Sequence, residues 1–515
     1  MLQGPYFYTR QVSPLVSISS FFAVLYLPHI KMRCFRSLCA AAFATSVARA
    51  QRMNDLRALS IPIAANATDI ASCADASWPP SNVGSTLEPQ EPDAELREML
   101  LEIDPARIQA IIEKLVSYGT RHTLSLQNST TRGIGAARDW LLSEFQNIAE
   151  PSEGRMTVEL QSYIQPVASR ILFPTNISNI VATVQGCETP ERVYVISGHY
   201  DSRCTDVDDY TSDAPGADDD GSGVAIAMEL ARIVATRNPR STMVFTAVAG
   251  EEQGLYGSNF QAFTYKNDSV DVQGMLDNDI VGASHGDPGQ FDPYTIRLFA
   301  EGPPATESVS TKAERLAIGG ENDSPARELG RFATSVASNN ATGMNIAVIY
   351  RADRFLRGGD HESYLAAGYP AVRFTEPNEN FAHQHQNVRV IDGVQYGDLA
   401  EFVDYDFTAR VGKVNLATMW SQAQAPGWVR NVSVNASVLS NDSLLYWLPN
   451  NETGVAGYEV VWRPTDAPLW THVLSVGNTT NVTVPLSKDN VIFGVRAVGS
   501  NGYRSPATIP FPVPY

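Results

Sequence analysis

The sequence predicts an α/β unit built on a mixed, mostly parallel sheet with helices on both faces, followed by a smaller all-β sandwich. Three observations predict this. Between residues 105 and 421 short apolar segments alternate with amphipathic ones, the pattern of a sheet covered on both sides. After Gln422-Ala423-Gln424-Ala425-Pro426-Gly427 the texture shifts to short alternating strands rich in Val, Thr, Tyr and Trp, with turn residues at about 8–12-residue spacing. A chain of 515 residues has room for both units.

At the N-terminus, Met32 is followed by a basic start at Arg33 and Arg36, an apolar stretch from Leu38 to Val47, and Ala48-Arg49-Ala50 before Gln51. That is the layout of a secretory signal peptide with a small-x-small cleavage site. Residues 1–50 are therefore expected to be an N-terminal extension and signal peptide, and the product to be secreted and extracellular, beginning near Gln51. The upstream apolar patch from Leu15 to Leu27 is interrupted by Ser17, Ser19 and Ser20 and falls short of the ~20 residues that span a bilayer, so no stable membrane insertion is expected. Twelve Asn-x-Ser/Thr sequons follow, at Asn66, Asn128, Asn176, Asn267, Asn322, Asn340, Asn431, Asn435, Asn441, Asn451, Asn478 and Asn481, and point to N-linked glycans.

Residues 51–104 are rich in Ala, Ser, Pro and Asp without sustained periodicity and read as a loosely ordered leader or propeptide-like segment. From Asp104 the pattern changes. Ile108, Ile111, Ile112 and Leu115 have helical spacing behind an Asp-Pro start, and Ile134 to Phe145 repeats it. Val193–Ser197 predicts a strand, Val224 to Val234 a helix, Met243–Ala249 a strand, and Leu255 onward a helix. Further strands are expected at Ile346–Tyr350 and Ala371–Thr375, a helix near Glu362, and a last helix ending near Trp420. Residues 422–426 read as a linker and 427–515 as a separate unit, so the unit at 105–421 is expected to work when cut near Ala425. In the C-terminal unit Trp447, the run Tyr458 to Trp462, and Phe493 to Val498 with Gly502 resemble the core pattern of a fibronectin type III sandwich.

Composition excludes some classes of function. With 38 Lys and Arg against 56 Asp and Glu the net charge is −18, which disfavours nucleic acid as a partner. Five cysteines are too few for a disulfide scaffold; Cys73, Cys187 and Cys204 follow the signal peptide, and their pairing stays open.

The chemistry-bearing residues fall at strand ends, where open α/β sheets build their sites. His199-Tyr200-Asp201-Ser202 ends one strand, Asp218-Asp219-Asp220 precedes a helix, Glu251-Glu252 ends the next strand, Asp277-Asn278-Asp279 another, and His383-Gln384-His385 follows the strand at 371–375. Each alone has a plain structural reading, as a hydrogen-bonding strand end, a solvated acidic loop or a helix start. Together they form an imidazole and carboxylate set without a cysteine cluster, which suits zinc. Several carboxylates with two histidines suggest two ions. A bridging carboxylate would hold them ~3.5–4 Å apart and lower the pKa of a shared water towards ~7, leaving a neighbouring carboxylate to take its proton.

These ordered motifs resemble those of the co-catalytic di-zinc peptidases of clan MH, which include secreted bacterial and fungal aminopeptidases and glutamate carboxypeptidase, with glutaminyl cyclases and transferrin receptor as relatives. The resemblance spans residues 105–420. It implies two Zn2+ ions per subunit, with His199 and Asp279 on one, Glu252 on the other and Asp219 bridging both. It further implies that Asp201 orients His199 and that Glu251 is the general base. For the fifth ligand the resemblance favours His385 in Gln-His-Gln, with His383 as the alternative, because Asn387 stands where the family has Asp. Asp360 to Tyr364 resembles the family's substrate-side loop. The activity implied is hydrolysis of peptide bonds in a peptide or protein substrate by a di-zinc-activated water, as an exopeptidase of aminopeptidase type. Alternatives are a glutaminyl cyclase-like mono-zinc acyltransferase, an inactive binding relative, and a serine hydrolase built on Gly282-Ala283-Ser284-His285-Gly286, whose required helix after the serine is not evident.

Overall fold

Strands that are buried at every position belong at the centre of a sheet covered on both faces, and three such segments decide the architecture. The computed structural model describes residues 78–287 and 289–513. The signal peptide, the leader up to residue 77, Cys73 and Asn66 lie outside the described residues.

A two-residue strand, β1 (Ser85–Thr86), precedes an eight-stranded sheet made of β2 (Met156–Gln165), β3 (Thr175–Val184), β4 (Thr189–His199), β5 (Ser241–Val248), β6 (Asp271–Asn278), β7 (Thr295–Phe299), β8 (Asn345–Ile349) and β9 (Ala371–Thr375). The order is β2-β3-β5-β4-β6-β9-β7-β8. Strands β5, β4, β6 and β9 run parallel to one another and β8 runs parallel to β7, while the pairs β2–β3, β3–β5 and β9–β7 are antiparallel. All of β5 and β9, and β4 from Val193 to His199, are buried.

Nine helices are described: α1 (Ala94–Leu101), α2 (Pro105–Val116), α3 (Ile134–Ala149), α4 (Gly221–Val234), α5 (Tyr256–Asn267), α6 (Val309–Ala317), α7 (Pro325–Ala337), α8 (His361–Ala367) and α9 (Tyr405–Gln424). Every residue of α4 except Arg232 is buried. Its one buried charge, Glu229, is met by Arg232 at 2.8 Å, Arg107 at 3.1 Å and the Asp104 N–H at 3.1 Å, which is what lets a carboxylate sit in a core helix. No helix among the described residues is long and apolar enough to cross a membrane. Cys187 and Cys204 are both free thiols.

A short hairpin, β10 (Arg389–Ile391) with β11 (Val394–Tyr396), stands apart from the large sheet. The C-terminal strands β12 (Arg430–Val434), β13 (Ser443–Leu448), β14 (Val455–Pro464), β15 (His472–Gly477), β16 (Asn481–Val484), β17 (Val491–Gly499) and β18 (Phe511–Pro512) form two four-stranded sheets, β1-β15-β14-β17 and β16-β13-β12-β18. Trp447, Tyr458, Trp462, Val484, Phe493 and Val495 fill the core between them.

Two readings of the sequence are corrected here. Residues 85–104 are not a loose leader: α1, capped by Asp93 on the Leu96 N–H at 2.9 Å, sends Leu96, Met99 and Leu100 into the main core. Its apolar stripe covers only two turns between Pro- and Asp-rich stretches, too short for periodicity to register. Residues 422–426 are likewise not an exposed linker. Helix α9 runs to Gln424, and Gln422 to Pro426 are all buried; small alanines pack there, and Pro426 stops the helix rather than loosening the chain.

The sandwich is correspondingly fastened down. Arg463 reaches Asp323 at 2.6 Å, the Trp470 indole donates to Glu328 at 2.9 Å, Arg331 donates to the Pro468 carbonyl at 2.7 Å, and Arg192 pairs with Glu452 at 3.1 Å. Ahead of α1, the Trp462 indole donates to the Val83 carbonyl at 2.9 Å and β1 pairs with β15.

Candidate metal centre

Because β4, β5 and β6 are parallel neighbours, their carboxyl ends open on one edge of the sheet. His199 is the last residue of β4; Glu251 and Glu252 follow β5, and Asp279 follows β6 at once. Asp219 stands just ahead of α4. The join is made by Asp220, whose carboxylate accepts the N–H of Gly223 in the first turn of α4 and the N–H of His199, both at 2.9 Å. Only glycine permits so close an approach: a Cβ on Gly198 would lie 2.4 Å from the Gly223 carbonyl carbon, and one on Gly223 would lie 2.1 Å from the Asn278 oxygen.

Asp219 faces two ways. Its Oδ1 lies 3.1 Å from His199 Nε2, and its Oδ2 lies 2.7 Å from His385 Nε2. Asp279 Oδ1 is 3.9 Å from His199 Nε2, and Glu252 Oε1 is 3.0 Å from His385 Nε2. Two triads result, His199-Asp219-Asp279 and Asp219-Glu252-His385, each with its donor atoms within 4.8 Å of one another. Buried polar atoms normally find partners, yet His199 Nε2 and Glu252 Oε1 are buried without a hydrogen bond. Imidazole nitrogens and carboxylate oxygens converging with orphaned atoms are a donor set that fits zinc. His383 takes no part; it stacks on Phe402 with ring centroids 3.6 Å apart.

The second ring of contacts fixes these groups. Asp201 is fully buried, and its carboxylate accepts the backbone N–H of Gly250 (2.8 Å), Glu251 (3.2 Å) and Glu252 (3.1 Å) with the Thr123 hydroxyl (3.2 Å). His199 Nδ1 is 3.1 Å from the Asp201 carbonyl and 3.6 Å from its carboxylate. A proton on Nδ1 therefore satisfies that carbonyl and turns the Nε2 lone pair to the centre. Burial opposes charge on His199, but Asp201, Asp219 and Glu251 outweigh it and raise its pKa well above the usual imidazole value. For His385 the same contest between burial and the charges of Glu252 and Asp219 ends at about 9.

Glu251 belongs to neither triad. Its Oε2 lies 3.9 Å from His199 Nε2, and burial, with Asp279, Glu252 and Asp360 adding to it against His199, holds its pKa well above the ordinary carboxylate range. A carboxylate so placed suits proton transfer.

Sequence reasoning missed two supporting groups. Arg373, fully buried in β9, pairs with Asp279 Oδ1 and Asp353 Oδ2, each at 2.9 Å; a lone charge inside an otherwise apolar strand was the signal. Asp398 accepts the N–H of Asp218 at 2.9 Å and of Asp219 at 2.8 Å, holding the loop that presents the shared carboxylate. The serine motif, by contrast, is structural. Ser284 is 1% exposed, and its hydroxyl donates at 2.6 Å to Asp404, the N-cap of α9.

The triads open into a cavity of about 420 Å³, whose walls include Arg170, Arg203, Arg357, Glu251, Glu252 and Glu362.

Comparison with known proteins places this geometry in context. The family model described as peptidase family M28 matches residues 179–405. A protein of Pyrenophora teres f. teres described as a probable zinc metalloprotease is 64% identical over 456 residues, covering 88% of this chain and 94% of that one. A protein of Leptosphaeria maculans with the same description is 65% identical over 430 residues, covering 84% of this chain and 100% of the relative. Among solved structures, the LapA aminopeptidase of Legionella pneumophila is similar at 18% identity and a TM-score of 0.46, covering 65% of this chain and 78% of that one.

Proposed function

The chain belongs to peptidase family M28 and is a zinc metalloprotease, and from that premise we propose that it is an aminopeptidase-type exopeptidase holding two zinc ions on His199, Asp219, Asp279, Glu252 and His385. The observation that carries the reading is that one carboxylate, Asp219, serves both triads through different oxygens.

Zinc, when bound, activates a water and polarises the scissile carbonyl. The chain's own groups do the rest. Glu251, near His199 but in neither triad, takes the proton of the attacking water and returns it to the leaving amine. Asp201 holds the backbone that carries Glu251 and Glu252, and its carbonyl sets the ring of His199. Arg373 fixes the orientation of Asp279, and Asp398 that of Asp219.

Against the mono-zinc cyclase-like alternative stands the presence of two triads, each offering three donor groups. Metal analysis of the purified chain, combined with activity on aminoacyl anilides, N-blocked peptides and peptides with N-terminal Gln, tests the proposal. About two zinc ions with preference for free N-termini is the expected result; one ion with cyclisation of Gln would overturn it.

Export and N-glycosylation form part of the same proposal, supported by the signal-like sequence at residues 32–50 and by the sequons, of which Asn128, Asn267, Asn322, Asn340, Asn431, Asn441, Asn451, Asn478 and Asn481 are exposed. N-terminal sequencing and glycosidase treatment of culture-medium protein test it. The sandwich is taken as fibronectin type III-like, supported by Trp447, Tyr458, Trp462 and Phe493 in its core.

A further inference from the structure

The arginines of the cleft are of two kinds. Arg354 is paired with Asp353 at 3.0 Å and Glu379 at 3.3 Å, and Arg357 with Glu379 at 2.6 Å, so their charges are spent within the wall. Arg170 and Arg203 are not paired in this way. Arg170, between β2 and β3, uses one N–H of its side chain, from Nη1 to the Glu252 carbonyl at 3.0 Å. Arg203, just past β4, donates from Nε to the Cys204 carbonyl at 3.2 Å, and its nearest carboxylate oxygen is Glu252 Oε2 at 3.8 Å. Glu252 is itself committed to His385 and to the metal position.

A guanidinium carries five N–H donors, so most of those on Arg170 and Arg203 are unused, and both residues line the cavity. The side chain of Arg203 is only 18% exposed, and a cation that buried is costly without a dedicated anion. The other carboxylates of the lining, Asp219, Glu251, Asp279 and Glu362, form no ion pair with either arginine. In a protein of net charge −18 these two guanidinium groups put unspent positive charge beside the metal position, among the carboxylates of the lining.

We propose that Arg170 and Arg203 bind a carboxylate of the substrate, and that the preferred substrates are therefore peptides with a carboxylate close to the scissile bond. The inference rests on the peptidase reading of the site. Two sources supply this group, the C-terminal carboxylate of a dipeptide and an Asp or Glu side chain in a longer peptide, and both offer the planar, bidentate acceptor that guanidinium binds best.

The test is calorimetric binding to the zinc-loaded full chain carrying Glu251→Gln, which suppresses turnover. Leu-Gly is compared with Leu-Gly amide, and Leu-Asp amide with Leu-Asn amide, so the two arms separate the sources. In at least one arm the acid binds about tenfold or more tightly than its neutral partner, and the ratio falls below about threefold when Arg170→Gln and Arg203→Gln are added. Arg170→Gln alone, which disturbs only a backbone contact, gives an intermediate ratio with zinc content unchanged. Equal binding of acid and neutral partner in both arms, or a ratio that survives the arginine variants because the carboxylate sits directly on metal, overturns the proposal. Should the acids bind preferentially while the unmutated enzyme cleaves none of the four, the carboxylate site stands and the exopeptidase reading falls.

Discussion

The carboxylate of Asp201 accepts the backbone N–H of Glu252 at 3.1 Å, so a residue two positions beyond the first histidine of the centre positions a ligand of the second. With the N–H of Gly250 and Glu251 on its other oxygen, it organises the whole turn after β5. Asp201→Asn swaps one acceptor oxygen for an N–H₂ that faces backbone donors. We expect zinc affinity or activity to fall about 10–100-fold and the melting temperature to drop, measured by zinc titration and thermal unfolding. A variant with wild-type values for all three would remove Asp201 from this role.

The adjacent glutamates separate cleanly. Glu251→Gln keeps shape and polarity but deletes the base, so kcat should fall by about 10²–10⁴ with both zinc ions retained. Glu252→Gln should lose one zinc and regain activity in part at high zinc concentration. Metal content and kcat on the two variants decide, and the opposite pattern reverses the roles.

Removing the sandwich should cripple the catalytic unit. A chain ending at Ala425 loses the Arg463 partner of Asp323 and the Trp470 partner of Glu328, and exposes the apolar end of α9. Its melting temperature should be at least about 10 °C lower than that of the full chain, or it should fail to fold. Trp470→Phe, a milder probe that leaves Glu328 short of a donor, should cost about 1–3 kcal/mol in denaturant unfolding. A truncated chain as stable and active as the full one would show the contacts to be incidental.

Asp360 carries a pH prediction. It is buried, neither carboxylate oxygen has a hydrogen-bond partner, and burial, with Asp277 nearby, pushes its pKa up to about 8. In the unfolded chain the group loses its proton near ~3.9. Between these values the folded state binds more protons than the unfolded one, so this group's contribution to stability declines as pH rises to about 8 and then levels. Asp360→Asn mimics the protonated form. In metal-free protein its melting-temperature advantage over the unmutated chain should widen across that window; a constant offset would mean that Asp360 is ionised throughout.

Much of the centre was legible because its donors sit at the ends of strands that the sequence marks clearly: His199 closes β4, and Asp279 follows β6 directly. Which histidine of His383 and His385 approaches the other donors depends on the turn, where His385 takes a left-handed φ of 54° that spacing alone does not encode. Arg373 and Asp398 escaped notice for another reason. Their partners Asp279 and Asp219 are remote in sequence, so neither forms a local motif. The segment before Asp104 and the supposed linker were misread because composition reports polarity and small residues, whereas burial of α1 and of Gln422 to Pro426 is decided by the tertiary neighbours.

The pairing of β1 with β15 sets Ser85 against Val473 and Thr86 against His472. On the ribosome these partners emerge far apart in time, so β1 remains an open edge until the C-terminal sheet has been translated. Closing so large a loop carries an entropic cost that no local contact offsets, and an edge left waiting is an invitation to pair with another nascent chain. Production of this protein should therefore be limited less by the stability of the finished fold than by the interval before β15 arrives, and slower synthesis at lower temperature, or a chaperone that covers strand edges, should raise the yield of soluble chain.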